Sequence, residues 1–171
     1  GADGDQGTEM TPLLSQGGAA AGRQRLGGSA GGAASIASDS ELLALMREVR
    51  LGDLADKVGG LGSELDWAHV LSMGEQQRVA FLRLLLHAPH LAFLDEATSA
   101  VDADTEAVLY GLLRERCRCF VSVGHRMQLL RYHTHVLECK PAEGPHGMPV
   151  WSKYTSAEYQ AKLQAQTGLT L

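Results

Sequence analysis

Leu91-Ala92-Phe93-Leu94-Asp95-Glu96-Ala97-Thr98-Ser99-Ala100-Val101-Asp102 is the stretch that decides the fold of this chain. Leu91–Leu94 is a short apolar run set off by Pro89, and it reads as a buried strand. The strand ends in two carboxylates. In open α/β sheets, ligands bind beyond the carboxyl ends of the strands, so Asp95 would project into such a site. A carboxylate there can hold magnesium directly or through water. Glu96, next in line, suits polarising an attacking water as a general base. The plainer reading is a strand that runs into a solvated acidic turn. The pair alone leaves both readings open, and the Ala97-Thr98-Ser99-Ala100 that follows weighs against the turn.

Upstream lies Leu71-Ser72-Met73-Gly74-Glu75, continued by Gln76-Gln77-Arg78. Ser72 precedes a strongly periodic helix carrying Val79, Phe81, Leu82, Leu85 and Leu86, which Pro89 terminates. A helix N-terminus offers free N–H groups and a positive dipole end, and Gly74 permits close backbone approach. The alternative is an ordinary serine-capped helix. Downstream, Ser122-Val123-Gly124-His125-Arg126 puts a histidine after another buried strand. His125 and Asp95 could therefore reach the same sheet edge. A lone histidine after a strand is otherwise a surface residue. Asp102 could also act as a helix cap, as could Asp104.

Taken together, in this order and spacing, the four motifs resemble the ABC ATPase family over roughly residues 40–140. They correspond to its signature motif (Leu71, Ser72, Met73, Gly74, Glu75), Walker B strand, D-loop (Ser99, Ala100, Val101, Asp102) and H-loop. The resemblance implies an α/β P-loop NTPase fold, with a parallel sheet, flanking helices and a helical signature subdomain. It implies ATP and Mg2+ as cofactors, with Asp95 on the metal and Glu96 and His125 catalytic. Glu96 would be the base and His125 a sensor of the γ-phosphate. The signature would contact ATP bound to the opposite subunit, and the D-loop would cross the dimer interface. The family consensus has Gln where this chain has Glu75, and a carboxylate beside phosphates is a mild electrostatic liability. Glu64-Leu65-Asp66-Trp67-Ala68-His69-Val70 runs straight into the signature. That approach resembles subfamily D half-transporters, which include peroxisomal fatty-acyl transporters, a lysosomal cobalamin-linked member and plastid and cyanobacterial relatives.

Residues 1–38 differ from everything after them. Ten of the twenty glycines fall there, among alanine and serine. Such a segment buries too little apolar surface to offset its ordering entropy and is expected to be disordered. Residues 39–140 are expected to be the C-terminal part of a nucleotide-binding domain, and 141–171 a tail with strand and helix. Helices are predicted from Ser38 or Asp39 through Val49, near Leu51–Val58, over Asp104–Arg116, over Met127–Tyr132 and around Ser156–Gln166. Further strands are predicted at Cys119–Val123 and His135–Cys139.

A phosphate-cradling G-x-x-x-x-G-K-[ST] loop requires a lysine after its glycines. None of Lys57, Lys140, Lys153 and Lys162 has that context. The fold read here is therefore an incomplete one, with the P-loop part missing, and the chain is expected to be part of a longer protein, inactive alone. Its expected partners are ATP, a second ABC ATPase domain in a homo- or heterodimer, and a transmembrane domain. The complete protein would sit in a peroxisomal, plastid or lysosomal membrane, with this domain facing cytosol or stroma. A second reading is a non-catalytic short protein that donates its signature to a partner subunit. A third is a soluble ABC ATPase of DNA repair or translation, which the Asp66-Trp67 approach disfavours.

The net charge of -5 and the lack of a polybasic run argue against a nucleic-acid surface. The apolar region Phe81–Leu94 is broken by Arg83, His87, Pro89 and His90 and cannot span a bilayer. Cys117, Cys119 and Cys139 have no disulfide-framework spacing and read as buried strand thiols. His69, His87, His90, His133, His135 and His146 read as surface or packing residues.

Overall fold

The computed structural model describes residues 11–16, 38–141 and 148–167. They divide into two units, a sheet unit and a helical unit.

The sheet unit is built on five strands: β1 (Thr11–Gln16), β2 (Ala92–Asp95), β3 (Cys119–Gly124), β4 (His135–Lys140) and β5 (Val150–Thr155). Their spatial order is β2-β3-β1-β4-β5. β2 and β3 are hydrogen-bonded neighbours linked in the chain through a helix, the connection that a parallel pair needs. β3 and β4 run in the same direction, because each pairs antiparallel with β1. β5 pairs antiparallel with β4, Val136 opposite Tyr154. This is the expected α/β architecture, with antiparallel pairing added at β1 and β5.

β1 departs from the expectation of disorder over residues 1–38. Thr11–Gln16 pairs along its whole length with Gly124–Cys119 of β3. Compositional reading weighs side chains, whereas a strand between two others is recruited by backbone N–H and C=O groups that need partners. Residues 1–10 and 17–37 of that segment lie outside the described residues.

Alternation along β3 buries Phe120 and Ser122, and along β4 it buries Val136 and Glu138. The turn Met127–Tyr132 adds Leu129, Leu130 and Tyr132 to the same core. The closing helix Ser156–Thr167 is fastened through Glu138, whose Oε1 accepts from Lys162 Nζ at 2.6 Å. The Lys162 ammonium also lies 4.8 Å from the Tyr154 ring centre.

His133 belongs to this core. Its Nδ1–H donates to the Leu129 carbonyl at 2.8 Å, and its ring meets Phe120 edge-on at 5.1 Å. Burial lowers its pKa from 6.5 to about 4. The unfolded chain therefore takes the proton first as the pH falls. The stability due to neutral His133 is complete above about pH 6.5 and is lost progressively toward pH 4. Going from pH 7 to 5 should cost about 2 kcal/mol through this residue. Thermal unfolding at both pH values checks it, since His133→Gln should remove most of that dependence.

The helical unit contains α1 (Asp39–Glu48), α2 (Leu54–Lys57), α3 (Trp67–Val70), α4 (Met73–His87) and α5 (Ala103–Arg116). Ser38 caps α1 in a reciprocal box with Glu41. α2 is shorter than the predicted Leu51–Val58. Arg50 adopts φ 60° and Leu51 N–H returns to the Met46 carbonyl, so the chain turns before helix can resume. Gly59 and Gly60, both at positive φ, end it. α3 was not predicted from the sequence; four residues give no helical period to read. Phe81 of α4 meets Tyr110 of α5 edge-to-face at 6.2 Å, around a core of Leu82, Leu85, Leu109 and Leu113. Glu48 and Arg116 pair across α1 and α5.

Cys117 is buried at the end of α5, while Cys119 and Cys139 are half-buried in strands. Among the described residues, no helix is long and apolar enough to cross a membrane.

Candidate functional site

In the sheet unit, Asp95 closes β2 and is exposed. Glu96 follows in the left-handed region, φ 43°. A non-glycine residue there carries strain of about 1–3 kcal/mol and persists only where its surroundings hold it. Here the Glu96 N–H donates to the Val123 carbonyl at 3.0 Å, fixing the backbone against β3. The carboxylate is thereby turned toward the end of that strand. Glu96 Oε1 lies 3.0 Å from His125 Nε2. A carboxylate only accepts, so Nε2 carries the hydrogen. Two residues 29 positions apart in sequence thus meet at one sheet edge, still half-exposed. At Gly124, the last residue of β3, a Cβ would come within 2.8 Å of Leu129 Cδ1, so that side chain would have to shift.

The donor set can be weighed for Mg2+. Among the described residues, no group of three His, Cys, Asp or Glu side chains could enclose a metal. Magnesium bound with nucleotide takes one or two carboxylates, with water and phosphate oxygens filling the rest. Asp95 fits that role and would not fit a metal caged wholly by protein.

In the helical unit, Ser72 is the N-cap of α4 and Glu75 its third residue. Glu75 N–H donates to Ser72 Oγ at 3.3 Å, while Glu75 Oε2 accepts from Ser72 N–H at 2.8 Å. Ser72 Oγ donates to the same Oε2 at 2.8 Å. The other oxygen, Oε1, accepts from Lys57 Nζ at 2.9 Å. With Lys57 as the largest cause and Ser72 next, the Glu75 pKa falls from 4.5 to about 2. The expected liability at Glu75 is therefore offset by a lysine eighteen residues upstream.

Gly74, Gln77 and Arg78 share one face of α4, being three and four residues apart. That face meets Ser99–Asp102. A Cβ on Gly74 would stand 2.8 Å from the Ala100 carbonyl oxygen. Gln77 grips the same loop with both ends of its amide. Oε1 accepts from Ala100 N–H at 2.9 Å, and Nε2 donates to Ser99 Oγ at 2.8 Å. Arg78 Nε donates to the Gly74 carbonyl and Nη1 to that of Arg50. Ser72, Met73, Gly74, Arg78 and Asp102 line a cavity of about 390 Å³. Val101 is buried beside it. Asp102 caps α5, with Oδ1 accepting from Thr105 N–H at 2.8 Å and Oδ2 from its hydroxyl at 2.7 Å. The Thr105 amide, then its hydroxyl, lower the Asp102 pKa. Leu71 is buried and Met73 exposed.

Sequence reading passed over Lys57 and Gln77. Lys57 sits in no motif, and it reaches Glu75 from a separate helix, α2. Gln77 was visible as part of the polar run after Glu75, and its i+3 spacing from Gly74 was the available signal. Gln77→Leu should free the Ala100 amide. Its hydrogen exchange should quicken about tenfold, as expected for one lost hydrogen bond.

The family model for the ABC transporter matches residues 6–99, more than half of the chain. The match starts upstream of the boundary read at residue 39 and takes in the signature-like and Asp95-Glu96 stretches. A Synechocystis protein described as an uncharacterized ABC transporter ATP-binding protein is 49% identical over 112 residues, 66% of this chain and 17% of its own. The chloroplastic ABC transporter D family member 2 of Arabidopsis thaliana is 46% identical over 103 residues, 60% of this chain and 15% of its own. The mouse lysosomal cobalamin transporter ABCD4 is 40% identical over 103 residues, 59% and 17% of the respective chains. The aligned part of this chain thus spans about a sixth of the length of these relatives. With the family model covering more than half of the chain, this protein belongs to the ABC transporter family and is similar to its subfamily D members.

Proposed function

We propose that this chain is the C-terminal part of the ATPase domain of a subfamily D half-transporter, in which ATP hydrolysis drives transmembrane transport. The observation that carries the reading is Glu96, held at φ 43° beyond β2 with its carboxylate on His125 Nε2–H at 3.0 Å. Strain of this kind clusters at sites of chemistry. Glu96 would take the proton of the attacking water. His125 would orient Glu96 and hydrogen-bond the γ-phosphate. Asp95 would hold Mg2+, which supplies charge neutralisation to the phosphates when bound.

Ser72, Gly74 and the first turn of α4 would receive the γ-phosphate of ATP bound to a second ATPase domain. Leu71 would anchor that turn in the core. Ser99–Asp102 would meet the partner domain. A transmembrane domain would complete the transporter, making it an integral membrane protein of a peroxisomal, plastid or lysosomal membrane, with a fatty-acyl or cofactor-like cargo. This chain alone would be inactive, having no P-loop lysine.

The test is the size of the native protein, by immunoblot of membrane and soluble fractions with an antibody to residues 140–171. A membrane band far above 18.3 kDa is expected. A soluble band at that mass would overturn the reading in favour of a signature-donating subunit.

A further inference from the structure

Glu75 poses a problem for any anion that approaches the start of α4. Its carboxylate sits at the third position of the helix, with Oε2 bound to both Ser72 N–H and Ser72 Oγ. With a pKa of about 2, it does not discharge itself by protonation at neutral pH. The hydroxyl that would serve a phosphate is spent on this carboxylate, and the carboxylate repels the phosphate. Lys57 Nζ, on Oε1 at 2.9 Å, is the cation that cancels the charge.

The pair is poorly suited to a purely structural task. Lys57 keeps 55% of its side-chain surface exposed against 17% for Glu75, and an ion pair with one partner in solvent contributes only modestly to stability. What the pair does change is the local field at Ser72 and Gly74. A charge a few ångströms from a phosphate matters at the solvent edge, with screening only partial at that range.

We infer that Lys57 is a positioning residue of the phosphate-receiving turn, cancelling the charge of Glu75 beside an incoming nucleotide and fixing its Oε1; this rests on the reading of Leu71–Glu75 as that turn. Lys57 touches the nucleotide only through its effect on Glu75. The identity of residue 75 therefore decides whether Lys57 matters.

ATP hydrolysis by the full-length protein in membranes tests this with Lys57→Met, Glu75→Gln and the double variant. Lys57→Met should raise the KM for ATP about tenfold, with a smaller change in kcat. Glu75→Gln supplies the reference KM for a neutral residue 75. The double variant should return to within about twofold of Glu75→Gln, and Lys57→Arg should behave as wild type. Melting temperatures should not change. An equal rise in KM with Glu or Gln at position 75 would overturn the inference, as would no rise at all. A fall in melting temperature common to Lys57→Met and the double variant would also overturn it, marking a packing role. If the wild-type protein hydrolyses ATP and Lys57→Met is indistinguishable from it, only the role of Lys57 falls. A wild-type protein without ATP turnover would bring down the functional reading and this inference together.

Discussion

Glu96→Gln in the full-length protein should lower ATP turnover by about 10²- to 10⁴-fold while leaving nucleotide bound. The substitution changes shape very little. The amide oxygen can still accept from His125 Nε2–H, where Oε1 now lies at 3.0 Å. The backbone at φ 43° stays pinned by the Glu96 N–H bond to the Val123 carbonyl. Only basicity is lost, since an amide does not take a proton from water. Binding and chemistry should therefore separate, with unchanged affinity for ATP and a trapped complex. Single-turnover hydrolysis, with nucleotide retention on the membrane protein, reads both quantities. Hydrolysis at the wild-type rate would refute the role of Glu96 as the base.

Gly74→Ala should cost about 10²-fold in ATPase activity, with only a modest fall in melting temperature. The added Cβ would stand 2.8 Å from the Ala100 carbonyl oxygen and 3.7 Å from Val101 Cγ1. The closer neighbour is backbone, so no rotamer relieves the overlap. Either the first turn of α4 or the Ser99–Asp102 loop must move. Gln77 resists that movement through Ala100 N–H and Ser99 Oγ. Overpacking costs about 1–3 kcal/mol, and alanine returns up to about 1 kcal/mol as the better helix former. The two partly cancel in global stability. They do not cancel in geometry, where a displacement near 1 Å can cost about two orders of magnitude in rate. Steady-state ATPase assays alongside thermal unfolding check it. Wild-type activity in Gly74→Ala would show that this contact does not set the site.

The legible part of the site was the part encoded by neighbouring residues. Ser72 as N-cap of α4 and Asp102 as cap of α5 follow from local preference, and the structure has both. Glu75 was legible as a departure from the family's pattern. Its compensation was not, because Lys57 reaches it from another helix. The Glu96–His125 bond was half-legible. Two strands ending at one edge bring the residues near, but the left-handed backbone at Glu96 has no mark in its residue type.

The sequence by itself determined the α/β class and, α3 apart, the order of α1 to β4 after residue 38, and it named the side chains proposed to carry chemistry. Those follow from apolar periodicity, caps and motif spacing, all written within a few residues. Tertiary structure alone decided that Thr11–Gln16 lies between β3 and β4, that His133 is buried neutral, and that Lys57 and Gln77 serve the start of α4 and its loop. These depend on backbone pairing, desolvation and charge between residues far apart in the chain, and local pattern carries no record of such distances.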